Sequence, residues 1–283
     1  MSQRHRILVF GVTGIDKRRL LDKFAVWSAQ RFSLFRVLDF ENESLLNSKA
    51  MRRPAFQILD APQQEQRDLW KKAWGLFQTR LTAEEKAYPD HDIIISLHGS
   101  VVRGHYGVRC IAQLSDLIAL KPSRVVTLID NIYDMWWRTR ERAGPETRKG
   151  KPTFEQLITA RRCETIVADL VAYGDGSNPI DNLLLAVRHP YESLWNWLQS
   201  ETPKVVYLSF PISAPRRLEG KGDLSGIAEI NGFVELAHKH QLLIAGMVLL
   251  CPLTIDELPL KRIIESYPLV QDEDHDININ ITE

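Results

Sequence analysis

Short apolar runs alternate with longer amphipathic stretches along almost the whole chain, and this alternation limits the possible folds more than any other feature. The apolar runs at 6–10, 35–40, 92–97, 124–129, 183–187, 204–209 and 242–250 have the length and β-branched content of buried strands. Between them, 17–30, 62–87, 131–143, 154–173, 190–199, 226–240 and 256–266 carry apolar residues at helical spacing. A strand, a helix and another strand at this spacing leave room for crossover connections. The prediction is therefore an α/β fold with a parallel sheet and crossover helices. No internal repeat is present.

A chain of 283 residues exceeds the usual single-domain size, so two domains are expected. The polar joint SETPK at 200–204, just ahead of a new strand, is the natural boundary. It divides the chain into 1–200 and 203–283. The Gly-, Pro- and Lys-rich stretch AGPETRKGKP (143–152) reads as an insertion between helices. The tail QDEDHDININITE is acidic, polar and without a period, as in a linker.

Charge removes several function classes. Lys plus Arg and Asp plus Glu each number 36, so the formal net charge is zero. Such a balance argues against bulk nucleic acid or an anionic membrane as the main partner. No run approaches the roughly 18 apolar residues of a membrane span, and Gly11 and Asp16 interrupt any N-terminal leader. Cys110, Cys163 and Cys251 are scattered, with no close pair to grip a metal. A cytoplasmic protein with reduced thiols is expected, and no metal ligand set is predicted.

The segment RILVFGVTGIDKRRLL (6–21) runs from a strand through Gly11, Thr13 and Gly14 to Lys17 at the start of a helix. The phosphate-binding loop G-x-x-x-x-G-K-[ST] uses backbone amides, a lysine and a metal-binding hydroxyl in this context. Here Asp16 replaces the second glycine, adding negative charge and forfeiting an unhindered backbone. Arg18 replaces the hydroxyl and cannot ligate a cation. Two readings stay open. In one, Lys17, Arg18 and Arg19 at a helix N-terminus form an anion site, with arginine neutralising charge in place of a metal. In the other, the glycines form only a tight turn. Phosphoryl transfer normally relies on a positioned Mg²⁺, which this loop does not hold conventionally.

DIIISLHGSVVRG (92–104), PSRVVTLIDNIYDMWWRTRERAG (122–144), PTFEQLITARRCETIVADLVAYG (152–174) and IDNLLLAVRHPYESLWNWL (180–198) follow in order. With the loop, this succession over about residues 4–200 resembles the archaeal-type adenylate kinases and related small P-loop nucleotide kinases. The resemblance implies a nucleotide site at Gly11, Thr13, Gly14, Lys17, Arg18 and His98, with ATP or a related nucleotide as ligand. It also implies a lid whose arginines clamp the transferred phosphoryl group. Arg138, Arg140 and Arg142 occupy that region, so Lys17, Arg138 and Arg142 are the catalytic candidates. The same arginines also suit a solvated basic face, and His98 a satisfied strand-end histidine. Trp136 and Trp137 point in different directions on one helix, so burial of at least one is expected. Where the family carries an acidic residue near its metal, this chain has Ser96, with Asp92 at the strand's start. Asp16, Arg18 and Ser96 are three departures at metal-related positions and imply a scaffold that has lost efficient transfer.

PKVVYLSFPISAP (203–215), the helix at 226–240 and LLIAGMVLLCP (242–252) read as a small β-α-β unit. Tyr207, Leu208 and Pro211 resemble the first strand of the nucleoside 2-deoxyribosyltransferase-like fold, a Rossmann-like arrangement. No Gly-Thr-x-x-Glu segment follows to supply that family's nucleophile. Glu229 and Glu235 read as a solvated helix face, and RRLEGKGD (216–223) as a charged loop for an anion or a protein contact. So small a sheet is expected to lean on the first domain or on another chain.

Three functions compete. The first is a nucleotide-binding sensor or subunit of a larger assembly, in nucleotide metabolism or anti-phage defence. The second is an active nucleotide or nucleoside kinase, and the third a non-catalytic adaptor. The expected partners are a nucleotide and a protein or second copy of the chain.

Overall fold

In the computed structural model the described residues are 5–41, 61–103, 107–110, 112–141, 152–174, 180–208, 225–241 and 246–251. Outside them fall Arg142, Pro211, the helix expected at 256–266, the loop 216–223, the acidic tail and most of the insertion at 143–152.

The strand β1 (Arg6–Gly11) is buried from Ile7 onward, on both faces, as a central parallel strand must be. It runs parallel to β3 (Asp92–Ser96), with Ile7 opposite Ile94 and Val9 opposite Ser96. On its other side it runs parallel to β6 (Arg124–Ile129), with Gly11 opposite Leu128. Beyond β3 lies β2 (Phe35–Asp39), also parallel, whose Asp39 is opposite Ser96. With β7 (Asn182–Ala186), the five-stranded sheet has the order β2-β3-β1-β6-β7. The expected α/β class, with a mostly parallel sheet, is present.

Strand alternation divides the core. Leu8, Phe10, Leu38, Phe40, Ile93, Ile95 and Leu97 face one layer, where α2 (Gln63–Ala87) packs Trp70, Trp74, Phe77 and Leu81. Phe40 meets Trp70, Trp74 and Phe77 with ring centroids 5.0, 5.7 and 5.3 Å away. In the same layer lie Leu117 of α3 (Leu114–Ala119) and Ala168, Val171 and Ala172 of α5 (Phe154–Tyr173). The other face carries α1 (Lys17–Ala29), whose Phe24 contacts Phe35 of β2 at 5.3 Å.

This division follows from handedness. The chain leaves β1 toward β2 but leaves β3 in the opposite direction, toward β6. Right-handed crossovers therefore place the two connections on opposite faces. In open α/β sheets ligands bind where such connections diverge, which in this order is at the C-terminal ends of β1 and β3.

Two features were not anticipated. A hairpin of β4 (Ser100–Arg103) and β5 (Gly107–Cys110) follows β3 directly, and α3 is a single short helix. Both are too short to show a period. The helix α4 (Ile132–Glu141) lies where an amphipathic stretch was expected.

The chain forms two compact units, the first running to Leu184 and the second starting at Leu185. That division falls within β7, ahead of the joint at 200–204. The reason is that α6 (Tyr191–Gln199) belongs with the later elements: Ser193 Oγ donates to Leu249 O at 3.3 Å, and Asn196 Nδ2 to Met247 O at 2.7 Å. In the second unit β8 (Lys204–Tyr207) and β9 (Met247–Leu250) pair in parallel, with α7 (Ser225–Gln241) between them in sequence. This is the β-α-β unit read from the sequence. Glu229 and Glu235 are exposed, and Glu235 pairs with Lys239 at 3.0 Å, as a solvated face should. Among the described residues no helix is long and apolar enough to cross a membrane.

Candidate functional site

The polypeptide leaves β1 in a tight turn, closed by the Ile15 amide donating to Val12 O at 3.2 Å. Gly14 has φ +99°, a conformation that disfavours any side chain, and an added Cβ would meet Thr139 and Met135 at 3.0 and 3.2 Å. The amide of Lys17 donates to Ile15 O at 2.9 Å, and α1 begins there. Asp16 occupies the N-cap position but makes no side-chain cap.

A side chain at a helix start leans back toward the preceding turn. That of Lys17 does so and is buried, with 4% exposure. Its ammonium donates to Gly11 O at 2.7 Å and lies 2.9 Å from both ring nitrogens of His98. Gly11 is required by this fold-back, because a Cβ there would meet Lys17 Cδ at 3.2 Å and Leu128 O at 3.1 Å. Burial lowers the pKa of Lys17, while the carboxylates of Glu41, Glu164 and Asp39 pull it back up.

Burial, and then the charge on Lys17, lowers the pKa of His98 to about 4, so its ring is neutral at pH 7. Its Nε2 lies 3.4 Å from Glu41 Oε1. A proton on Nε2 pointing to that carboxylate leaves Nδ1 to accept from Lys17. Burial raises the Glu41 carboxyl, and Lys17 opposes the rise.

The most tightly held group in the site is Glu164, from the middle of α5. Its carboxylate accepts from the amides of Gly11 at 3.3 Å, Gly99 at 2.9 Å and Ser100 at 2.8 Å, and from Ser100 Oγ at 2.9 Å. At 1% exposure it sits across the C-terminal ends of β1 and β3. A carboxylate so placed survives burial only because each oxygen has several donors.

The other candidates lie around this cluster in unequal ways. Thr13 is exposed, and Arg18 is turned outward to Asp22 at 2.7 Å along α1. Arg138 pairs with the buried Asp130 at the end of β6, and Arg161 Nη1 reaches Asp130 O at 3.5 Å. Trp136 is buried and stacked on Phe154 at 4.8 Å, while Trp137 is half-buried. Ser96 is fully buried, and its hydroxyl has no hydrogen-bond partner among the described residues. Among the described residues no group of three or more His, Cys, Asp or Glu side chains is arranged to hold a metal ion.

The structure thus brings Gly11, Lys17 and His98 together and leaves Thr13 and Arg18 at the surface. Sequence reasoning missed Glu164, Glu41, Asp39 and Asp130. A signal for Glu164 was present, since it continues the stripe Leu157, Ala160, Ala168, Val171 that α5 buries, and a carboxylate in such a stripe demands donors.

No known family model matches the chain, and no curated protein matches it significantly.

Proposed function

We propose that this protein binds a nucleotide, ATP or a related phosphate ligand, on a kinase-like α/β unit with a degenerate transfer site, and acts as a sensor or subunit of a larger assembly. The observation that carries the reading is Lys17. It opens α1, folds back over the end of β1, and holds its ammonium at the strand ends where the crossovers of the sheet diverge. Lysine, strand end and helix N-terminus together are the elements that phosphate recognition uses. The amides of Gly11, Ile15 and Lys17 are already committed within the chain, and Arg18 is engaged with Asp22. These commitments favour binding with weak or absent turnover over an active kinase.

A thermal-denaturation series with ATP tests this. At one hundred times Kd, ligand stabilises by about 2.7 kcal/mol. Wild type should show the shift and folded Lys17→Met should lose it. A wild-type protein without a shift for any common nucleotide overturns the reading, as does a folded Lys17→Met that keeps it.

The adaptor reading draws on a different observation. In the second unit all of β8 is exposed, including Val205, Val206 and Tyr207, and so are Phe233 and Leu236 of α7. Apolar side chains in that setting suit a protein contact. This role is compatible with nucleotide sensing in the first unit.

A further inference from the structure

The donors around Glu164 form a built anion site. Three are main-chain amides, from Gly11, Gly99 and Ser100, and one is the Ser100 hydroxyl. Main-chain donors recognise an anion by its charge and oxygen geometry and do not distinguish a side-chain carboxylate from a phosphate group. The position is also where a parallel sheet of this order binds ligands, outside the carboxyl ends of the two strands whose crossovers diverge. The ammonium of Lys17 adds positive charge from the β1 side.

The occupant comes from the middle of a helix locked in place. The N-terminus of α5 is closed by a reciprocal capping box between Thr153 and Gln156. One turn beyond Glu164, Val167 packs so closely on Gly99 that an added Cβ would lie 2.9 Å from its Cγ1. α5 therefore sits directly on the strand end and holds the carboxylate among these donors.

We propose that Glu164 is an internal stand-in for a phosphate group: it plugs the anion site at the ends of β1 and β3, and a nucleotide phosphate gains these donors only when α5 withdraws. The inference deepens the nucleotide reading and rests on it for the identity of the natural ligand. The existence of the anion site does not depend on that reading.

Chemical rescue tests the plug. Folded Glu164→Ala should melt below wild type, and acetate or inorganic phosphate should restore a large part of the loss, while chloride at equal ionic strength should not. Wild type, whose site is filled, should not respond. The variant should also bind ATP about tenfold more tightly or better, since affinity falls by the fraction of molecules in the competent state. Equal responses to acetate, phosphate and chloride overturn the proposal. If Glu164→Ala does not fold, amide exchange in wild type decides: ATP should speed exchange along 157–171, and bound ATP without that effect overturns the plug while leaving nucleotide binding intact. Rescue by acetate with no ATP binding in either protein has the opposite meaning, keeping the anion site and ending the nucleotide reading.

Discussion

Asp39 and Ser96 are register partners, side by side at the C-terminal ends of the adjacent parallel strands β2 and β3. Ser96 is the residue that stands where the kinase resemblance calls for an acid. A carboxylate, that of Asp39, lies one strand away, and its charge raises the pKa of Lys17. A carboxylate missing at one position of the linear sequence is thus present at the neighbouring position of the sheet. Register, which no single strand reveals, decides the matter.

The hydroxyl of Ser96 is buried and has no hydrogen-bond partner among the described residues. Leaving such a group unsatisfied costs about 1–3 kcal/mol. Ser96→Ala should therefore stabilise the ligand-free protein, by about 0.5–1 kcal/mol once lost packing is allowed for. Urea denaturation would show a higher midpoint at unchanged slope. A destabilisation of that size would mean that the hydroxyl is satisfied in solution.

Acid should weaken both units through buried neutral histidines. In the first unit the folded-state pKa of His98 is about 4, against 6.5 for an ordinary histidine. In the second, His189 accepts from the Cys251 amide at Nε2 and lies 3.2 Å from Ala186 O at Nδ1, and its pKa is likewise about 4. Between these limits the unfolded chain binds the extra proton, so stability rises with pH across the window and is lost as pH falls from 6.5 toward 4. At 1.36 kcal/mol per pH unit the full loss from His98 is about 3 kcal/mol. Glu41, whose folded pKa is raised, slopes the other way and offsets part of it. His98→Gln should flatten the stability–pH curve measured by chemical denaturation over this range. An unchanged slope would show that His98 is already charged in the folded protein.

The fold was largely legible because it rests on local periodicity. Val125, Val126 and Leu128 announce a buried strand, and Trp70, Trp74, Phe77 and Leu81 announce one face of a helix, from their spacing alone. The site was legible along β1 and α1, where Gly11 and Lys17 belong to one continuous motif, and at His98 just beyond β3. Glu164 joins it from a separation of 153 residues, as the Gly11 hydrogen bond shows. Asp39 and Glu41 join it through sheet order. Arg18 went the other way, because an exposed arginine with Asp22 one turn along its own helix has a local partner. The hairpin β4–β5 left no signal, since strands of four residues carry too few alternations to separate them from a loop.

Close approach at Gly99 gives a coupling that can be measured. A Cβ there would meet Val167 Cγ1 at 2.9 Å and Cβ at 3.0 Å; the Cβ is fixed to the backbone of α5, and the Cγ1 can swing away only by leaving its χ1 rotamer. Gly99→Ala should cost about 1–3 kcal/mol by overpacking. Val167→Ala removes the atom that clashes most closely, so the double variant should be more stable than the sum of the two single losses. Simple additivity in a double-mutant cycle would place the strain elsewhere.

Magnesium should contribute little to whatever nucleotide binding occurs. The residue after Lys17 is Arg18, which offers no oxygen and is held by Asp22 at 2.7 Å. Among the described carboxylates around Lys17, Glu164 is saturated by donors, Glu41 lies beside His98 Nε2, and Asp39 interacts, as they do, with the Lys17 ammonium. A divalent ion would also have to settle near the ammonium of Lys17, with which those carboxylates interact. The ATP-induced rise in Tm should therefore be as large in EDTA as in excess Mg²⁺, measured at matched ionic strength. Arg18→Ser returns the hydroxyl that a phosphate loop uses for the metal and removes a guanidinium, so in this variant the shift should become larger with Mg²⁺ than with EDTA. A wild-type shift that appears only with Mg²⁺ would refute this account of the loop and would favour an active kinase.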